Sequence, residues 1–297
     1  MTLDDLLGLY VDQRAPSKAT QRHYDFVIEL FRKETGLDDT RRISVDPIRT
    51  WRGQVLARAS PTTWNNYLVH LRALFAFGCE AGAIRENPFR QVARARSLSR
   101  RRKVVSAPLM ERALTLLGDE SAETLQPRWF WAIVVRTFYY TGMRRRQLAG
   151  LLWRDVDLRQ GTVLLRAESS KNRREWIVPI PPRLADDLTV LKERSSRGGR
   201  LHDHQVFRIQ LFYDRYRGDH LSEYQITGFF RRLGEALGEP ITPHRLRHTM
   251  ATELAAKGDV KALSDLLGHA DVRTTLDAYV HPDVDSLRAL QGGLRDI

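Results

Sequence analysis

The stretch TPHRLRHTMATEL, Thr242–Leu254, crowds two histidines and two arginines into five consecutive residues. Thr242 suits an N-cap and Pro243 the first helical position, which predicts a helix beginning at Pro243. On that helix His244, Arg247 and His248 fall at i, i+3 and i+4 and share a face. Cationic groups gathered at the positive end of a helix repel one another unless an anion sits among them. The His244–His248 spacing is also that of a zinc-protease helix, but that chemistry needs Glu after the first His as general base. Arg245 stands there instead, with Arg247 close by, and guanidinium groups oppose a metal cation. An anion site is the better fit, because Arg247 offers a planar fork that matches phosphate oxygens. A second arginine would complete a clamp, and Arg144, Arg145 and Arg146 follow an apolar helix further upstream.

Composition agrees. The 297 residues carry a formal charge of +12, an excess that points to a polyanion, nucleic acid first. Hydrophobic residues make up 42%, enough for packed cores and against disorder. The length suggests two domains. Cys79 is the single cysteine, so no internal disulfide forms, which fits a reducing compartment. It lies in an apolar run and is expected to be buried. The start, MTLDDLLGLY, is acidic and lacks a long apolar core, so it reads as neither signal peptide nor membrane span. The expectation is a cytoplasmic protein without membrane association. His202–His204 (HDH) lies in a loop rich in Gly and Arg and reads as solvated. The chain contains no phosphate-binding Gly-Lys loop and no dinucleotide fingerprint.

The first part reads as four helices. Thr2 with Asp5 forms a capping-box pattern, and Ser17 precedes a run in which Tyr24, Val27, Ile28 and Phe31 recur at helical spacing. Gly36 is placed to end that helix. Asp46-Pro47 and Ser60-Pro61 repeat the cap-plus-proline signature, and a fourth helix runs to near Gly82. Between Arg94 and Lys103 six basic residues occur with no acidic one, which reads as a linker lying along phosphates. Next, PRWFWAIVVRTFYYTGM is almost wholly apolar, as in a helix buried on most sides and ended at Thr141-Gly142. GTVLLRA and REWIVPI read as a strand pair around the polar ESSKN. Helices are expected from about Ser222 to Leu237, from Pro243 to Ala256, over KALSDLLGH and over DVRTTLDAY.

Three segments in this order, YYTGMRRRQL, ITPHRLRHTMATEL and LLGHADVRTTLDAYVH, resemble the motif boxes of the tyrosine recombinases, the phage-integrase and Xer-like enzymes. They span Tyr139 to His281, about half the chain. The resemblance implies a mainly α fold with a small β-sheet. A helical four-helix, SAM-like core-binding domain over 1–93 and a basic linker over 94–106 would precede a mixed α/β catalytic domain over 107–297. It implies site-specific recombination of double-stranded DNA through a 3′-phosphotyrosyl intermediate, with no metal, ATP or other cofactor. Residue by residue, Arg144 falls on the first arginine box, His244 and Arg247 on the second, His269 on LLGH and Tyr279 on the nucleophile. The family's lysine, in a β-hairpin turn, matches Lys171, with Arg173 and Arg174 as register alternatives. Four copies would act on two sites in a synaptic homotetramer, with room for an accessory DNA-bending protein.

Two departures stand out. The family commonly has an acidic residue at the position of Gln147, which could still hydrogen-bond the first arginine, and often one at Arg245. His248 shares the face of His244, and a structural role is expected for it. Arg145, Arg146 and Arg245 read as phosphate contacts or solvated charge. Two alternatives remain open at this point: a type IB topoisomerase-like strand transferase, or a DNA-binding regulator that kept the fold and lost turnover.

Overall fold

A computed structural model describes residues 1–96, 103–119, 123–169, 174–196, 201–268 and 271–279. The chain divides into two compact units, Met1–Arg100 and Arg101–Ile297.

Among the described residues the first unit holds four α-helices, as the periodicity predicts: α1 (Leu3–Arg14), α2 (Lys18–Thr35), α3 (Val45–Arg58) and α4 (Pro61–Glu80). Their starts follow from cap chemistry. Thr2 and Asp5 close a reciprocal capping box, and the hydroxyls of Ser17 and Ser60 accept from Thr20 and Thr63 backbone N–H groups. Gly36 ends α2 in the left-handed region at φ +70°, where only glycine is unstrained. The third start differs from expectation. α3 begins at Val45 behind Ser44, so Asp46-Pro47 lies inside its first turn. Proline is tolerated there because its missing N–H is one of the donors the helix leaves unpaired anyway. The core is aromatic: Trp51 meets Phe31 edge-on at 5.0 Å between ring centroids and Trp64 at 5.3 Å, and all three are fully buried. The indole N–H of Trp51 donates to Glu34 at 2.7 Å. Cys79 is only half-buried, because it sits beside exposed Glu80 at the end of α4.

Residues at both ends of the basic stretch are anchored. In the first unit, Ala95 is buried, and the Asn65 amide grips its backbone on both sides, at 2.8 and 2.9 Å. In the second, Val105 is buried and its N–H donates to Thr249 Oγ1 at 2.8 Å.

The second unit contains α5 (Ala107–Gly118), α6 (Arg128–Thr141), α7 (Arg145–Ala149), α8 (Pro182–Ser195), α9 (Glu223–Leu237), α10 (Pro243–Ala255), α11 (Val260–Leu266) and α12 (Arg273–Tyr279). Its antiparallel sheet has the order β1 (Val156–Asp157), β2 (Thr162–Leu165), β3 (Trp176–Pro179), with Val163 opposite Val178 and Leu165 opposite Trp176. The expected strand pair is β2 and β3. β1 adds a third strand too short to show a pattern. α6 is buried along most of its length and packs against α5, α8 and α10, with Trp131 stacked flat on Phe229 at 3.9 Å. This leaves α10 anchored on a rigid central helix, its N-terminal half beside the end of α6.

Trp51 is the centre of the first core, so Trp51→Ala should destabilise that unit by about 3–5 kcal/mol. Denaturant unfolding followed by near-ultraviolet circular dichroism measures it; a loss under 1 kcal/mol, roughly that of a surface change, would contradict the packing described.

Candidate active site

The end of α6 sets up the first arginine. Gly142 adopts φ +58°, and a Cβ there would lie 2.1 Å from Met250 Cε, so both backbone and space demand glycine. The reversed chain buries Met143 and puts Arg144 at the N-cap of α7. Its backbone N–H donates to Gln147 Oε1 at 2.7 Å. Gln147 is 1% exposed, and its Nε2 has no hydrogen-bond partner among the described residues. The amide thus serves the backbone of Arg144, not the guanidinium the sequence suggested.

The Arg144 side chain is half-buried, and its Nη1 is buried without a partner among the described residues. Burial pulls its pKa below the usual arginine value, and nearby Tyr279 pulls it back up. A desolvated N–H without an acceptor costs about 1–3 kcal/mol, which an incoming anionic oxygen would recover.

α10 starts as predicted: Thr242 Oγ1 accepts from Arg245 N–H at 3.2 Å. Arg247 is 4% exposed. Its Nη1 donates to the carbonyl of Gly142 at 2.5 Å and its Nη2 to that of Leu267 at 2.9 Å. Gly142 follows the last turn of α6 and Leu267 caps α11, so the buried cation lies at two negative helix ends. The fork expected to grip phosphate also holds two carbonyls. A guanidinium has five N–H donors, so both tasks are compatible. The Leu267 end is braced by the sheet: Trp176 Nε1 donates to Leu266 O at 3.0 Å. A Cβ on Gly268, at φ +63°, would strike that indole at 2.5 Å.

The two histidines complete the cluster. His248, 4% exposed, places Nδ1 2.9 Å from Tyr279 Oη and Nε2 2.9 Å from His244 Nε2. Tyr279 is 6% exposed, whereas His244 is on the surface. Arg144, His244, Arg247 and Tyr279, four of the residues singled out by sequence, therefore converge. Lys171 and His269 lie outside the described residues. His248, for which the sequence suggests a structural role, is the group that links Tyr279 to His244; its position one helical turn after His244 was the available signal. Of the other basic residues, Arg245 Nη1 donates to Pro240 O at 2.7 Å and Arg145 to Thr227 Oγ1. In the HDH segment, Asp203 pairs with Arg154 and lies 3.2 Å from His202 Nδ1.

Beside the cluster, Tyr139 Oη donates to Glu253 at 2.6 Å, joining α6 to α10. Burial first, then this bond, pushes the phenol up to about 12 from its ordinary 10. Its contribution is present below pH 10 and is lost as pH rises through about 12. Measured alkaline unfolding should show the wild type's advantage over Tyr139→Phe constant up to pH 10 and shrinking above it; an advantage that grows with alkalinity would contradict this. Gly268→Ala should cost more than about 1 kcal/mol, since both φ and the Trp176 ring oppose a methyl group. Thermal unfolding checks it, and an unchanged transition would mean the indole does not pack as described.

Residues 113–285 match the phage integrase family. A Pseudomonas syringae protein provisionally named tyrosine recombinase XerC is 32% identical over 308 residues, covering 97% of this chain and 63% of that protein. The chain therefore spans less than two thirds of that relative's length. Tyrosine recombinase XerC of Thermodesulfovibrio yellowstonii is 30% identical over 291 residues, covering 93% of this chain and 89% of that protein. The Tn1549 transposon integrase, solved in complex with a circular intermediate DNA, has a TM-score of 0.75 over 98% of this chain and 99% of that one. At 20% identity, that likeness is one of fold. The matched boxes and the matched length together make the chain a member of the phage integrase family, the tyrosine recombinases.

Proposed function

We propose that the chain is a site-specific DNA recombinase that cuts and rejoins duplex DNA through a covalent bond to Tyr279. The observation that carries this reading is the convergence of a phenol, two arginines and a histidine pair from three separated motif boxes. A phosphodiester repels nucleophiles by its charge. Arg144 and Arg247 would offset that charge and stabilise the transition state from fixed positions. Tyr279 Oη attacks phosphorus, and the 5′ oxygen leaves with a proton from Lys171, yielding the 3′-phosphotyrosyl link. His244 removes or shuttles the phenolic proton, and His269 hydrogen-bonds the phosphate. The 5′ hydroxyl of another strand reverses the step. One phosphodiester is exchanged for another, so neither ATP nor metal is required.

The wider assembly belongs to the same proposal. Residues 1–93 grip the duplex, the basic stretch 94–106 follows phosphates, and residues 107–297 supply the chemistry. A synaptic homotetramer forms on two sites, with an accessory DNA-bending protein where a site requires one. Among the described residues no helix is long and apolar enough to cross a membrane. The proposed compartment is the cytoplasm, where the chromosome is reached directly.

Selection of bound duplexes from a random pool supplies the substrate. Incubated in EDTA with a nicked version, the wild type should form a denaturant-resistant protein–DNA adduct, and Tyr279→Phe should form none. A DNA shift without adduct would favour the regulator, and cutting only without chelator a metal nuclease. Arg144→Ala and Arg247→Ala should reduce adduct formation by about 100-fold or more while DNA retention changes far less. Equal losses in both would contradict the clamp. Retention should fall with salt at a log–log slope of roughly 0.9 per phosphate neutralised.

A further inference from the structure

We infer that His248 is the proton carrier of the site: it takes the phenolic proton of Tyr279 at Nδ1 while passing its own Nε2 proton to His244. The inference rests on the strand-transfer reading above and assigns it a group that the motif boxes do not.

The geometry is a continuous line. Tyr279 Oη, His248 Nδ1, His248 Nε2 and His244 Nε2 are joined by two hydrogen bonds of 2.9 Å each. One helix fixes the histidine pair, since residues four apart lie one above the other, and the rings meet edge-on at 4.1 Å between centroids. The line runs from inside to outside. Tyr279 and His248 are buried, and His244 is exposed.

Burial dictates how a proton can move along it. Two nitrogens facing one another need one donor and one acceptor, so the His248–His244 contact holds a single proton. When His248 donates from Nε2, its Nδ1 is the acceptor, and the phenol donates to it. Transfer then proceeds as one shift. The Oη–H bond breaks as Nδ1–H forms, and His248 Nε2–H breaks as His244 Nε2–H forms. The products are a phenolate, a neutral His248 in its other tautomer, and a His244 imidazolium. No charge is placed on the buried imidazole, where desolvation would penalise it. The positive charge appears on the exposed ring, which water solvates. The negative charge appears on the phenolic oxygen, within electrostatic reach of the Arg144 guanidinium. Attack on phosphorus consumes the phenolate, and His244 releases its proton to solvent.

The test has two parts. Full-length protein labelled with nitrogen-15 in histidine reports tautomers directly, with no DNA present. His248 should be neutral, protonated at Nε2, and its Nδ1 signal should move in Tyr279→Phe. Protonation at Nδ1 or on both nitrogens would overturn the outward line. The second part uses the nicked duplex recovered by selection, with the 5′ bridging oxygen of the scissile phosphate as oxygen or as sulfur. His248→Asn keeps a polar group at the δ position but cannot hand a proton onward. It should form the adduct about 100-fold more slowly, with either leaving atom and with DNA retention unchanged. A normal rate in His248→Asn would reduce the residue to a holder of the phenol and overturn the relay. A defect erased by sulfur, which needs no proton to leave, would overturn it too by assigning His248 to the leaving group. If His248→Asn fails to fold, the tautomer measurement on the wild type still decides. If the wild type forms no adduct on any selected duplex, the strand-transfer reading fails separately from the tautomer result.

Discussion

A buried guanidinium holds this site together. Arg247 spans from α10 to the carbonyls that close α6 and α11, and each of those carbonyls lies next to a motif residue. Gly142 O fixes the turn that delivers Arg144. Leu267 O fixes the end of the helix that leads toward α12 and Tyr279. A lone buried cation is expensive, but the C-terminal end of a helix carries partial negative charge and carbonyls lacking helical partners. Two such ends supply what a carboxylate would otherwise supply, without an anion that would repel a phosphate. The fold uses the device again far from the site. Arg128, also buried, donates to the carbonyls of Leu116, Asp119 and Thr124 around the end of α5.

Around that cation, the packing turns small residues into requirements. Gly142 and Gly268 have left-handed backbones, and each has a side chain pressed against the place a methyl group would take. Met250 fills one and Trp176 the other, so core and sheet fix the two loops whose carbonyls accept from Arg247. Gln147 belongs to the same shell. Its oxygen ties the turn at Arg144, while its amide nitrogen is buried without a partner among the described residues. A carboxylate would fit that position electrostatically beside Arg144; the neutral amide keeps the net charge of the site more positive.

What the sequence made legible was local. Thr2, Ser17, Ser60 and Thr242 each cap the helix that their spacing implies, because capping depends on residues three apart. The motif boxes likewise led to four residues that meet in space. Less legible were features that depend on distant partners. Nothing near Arg247 reveals that its fork holds carbonyls 105 and 20 residues away. The contact between His248 and Tyr279 was equally hidden, because the two lie 31 residues apart. The strand β1 is two residues long and exists only as an edge to β2, and Ser44 rather than Asp46 opens α3, where proline could occupy either of two positions in the first turn. α5 directly follows the basic stretch read as linker, and its apolar face becomes meaningful only against α6 and α9.

One residue beyond His248, the Thr249 hydroxyl both donates to the Arg245 carbonyl within α10 and accepts from Val105 as the chain enters the second unit. The segment that enters the second unit is thus moored, through one shared hydroxyl, to the helix that carries both histidines.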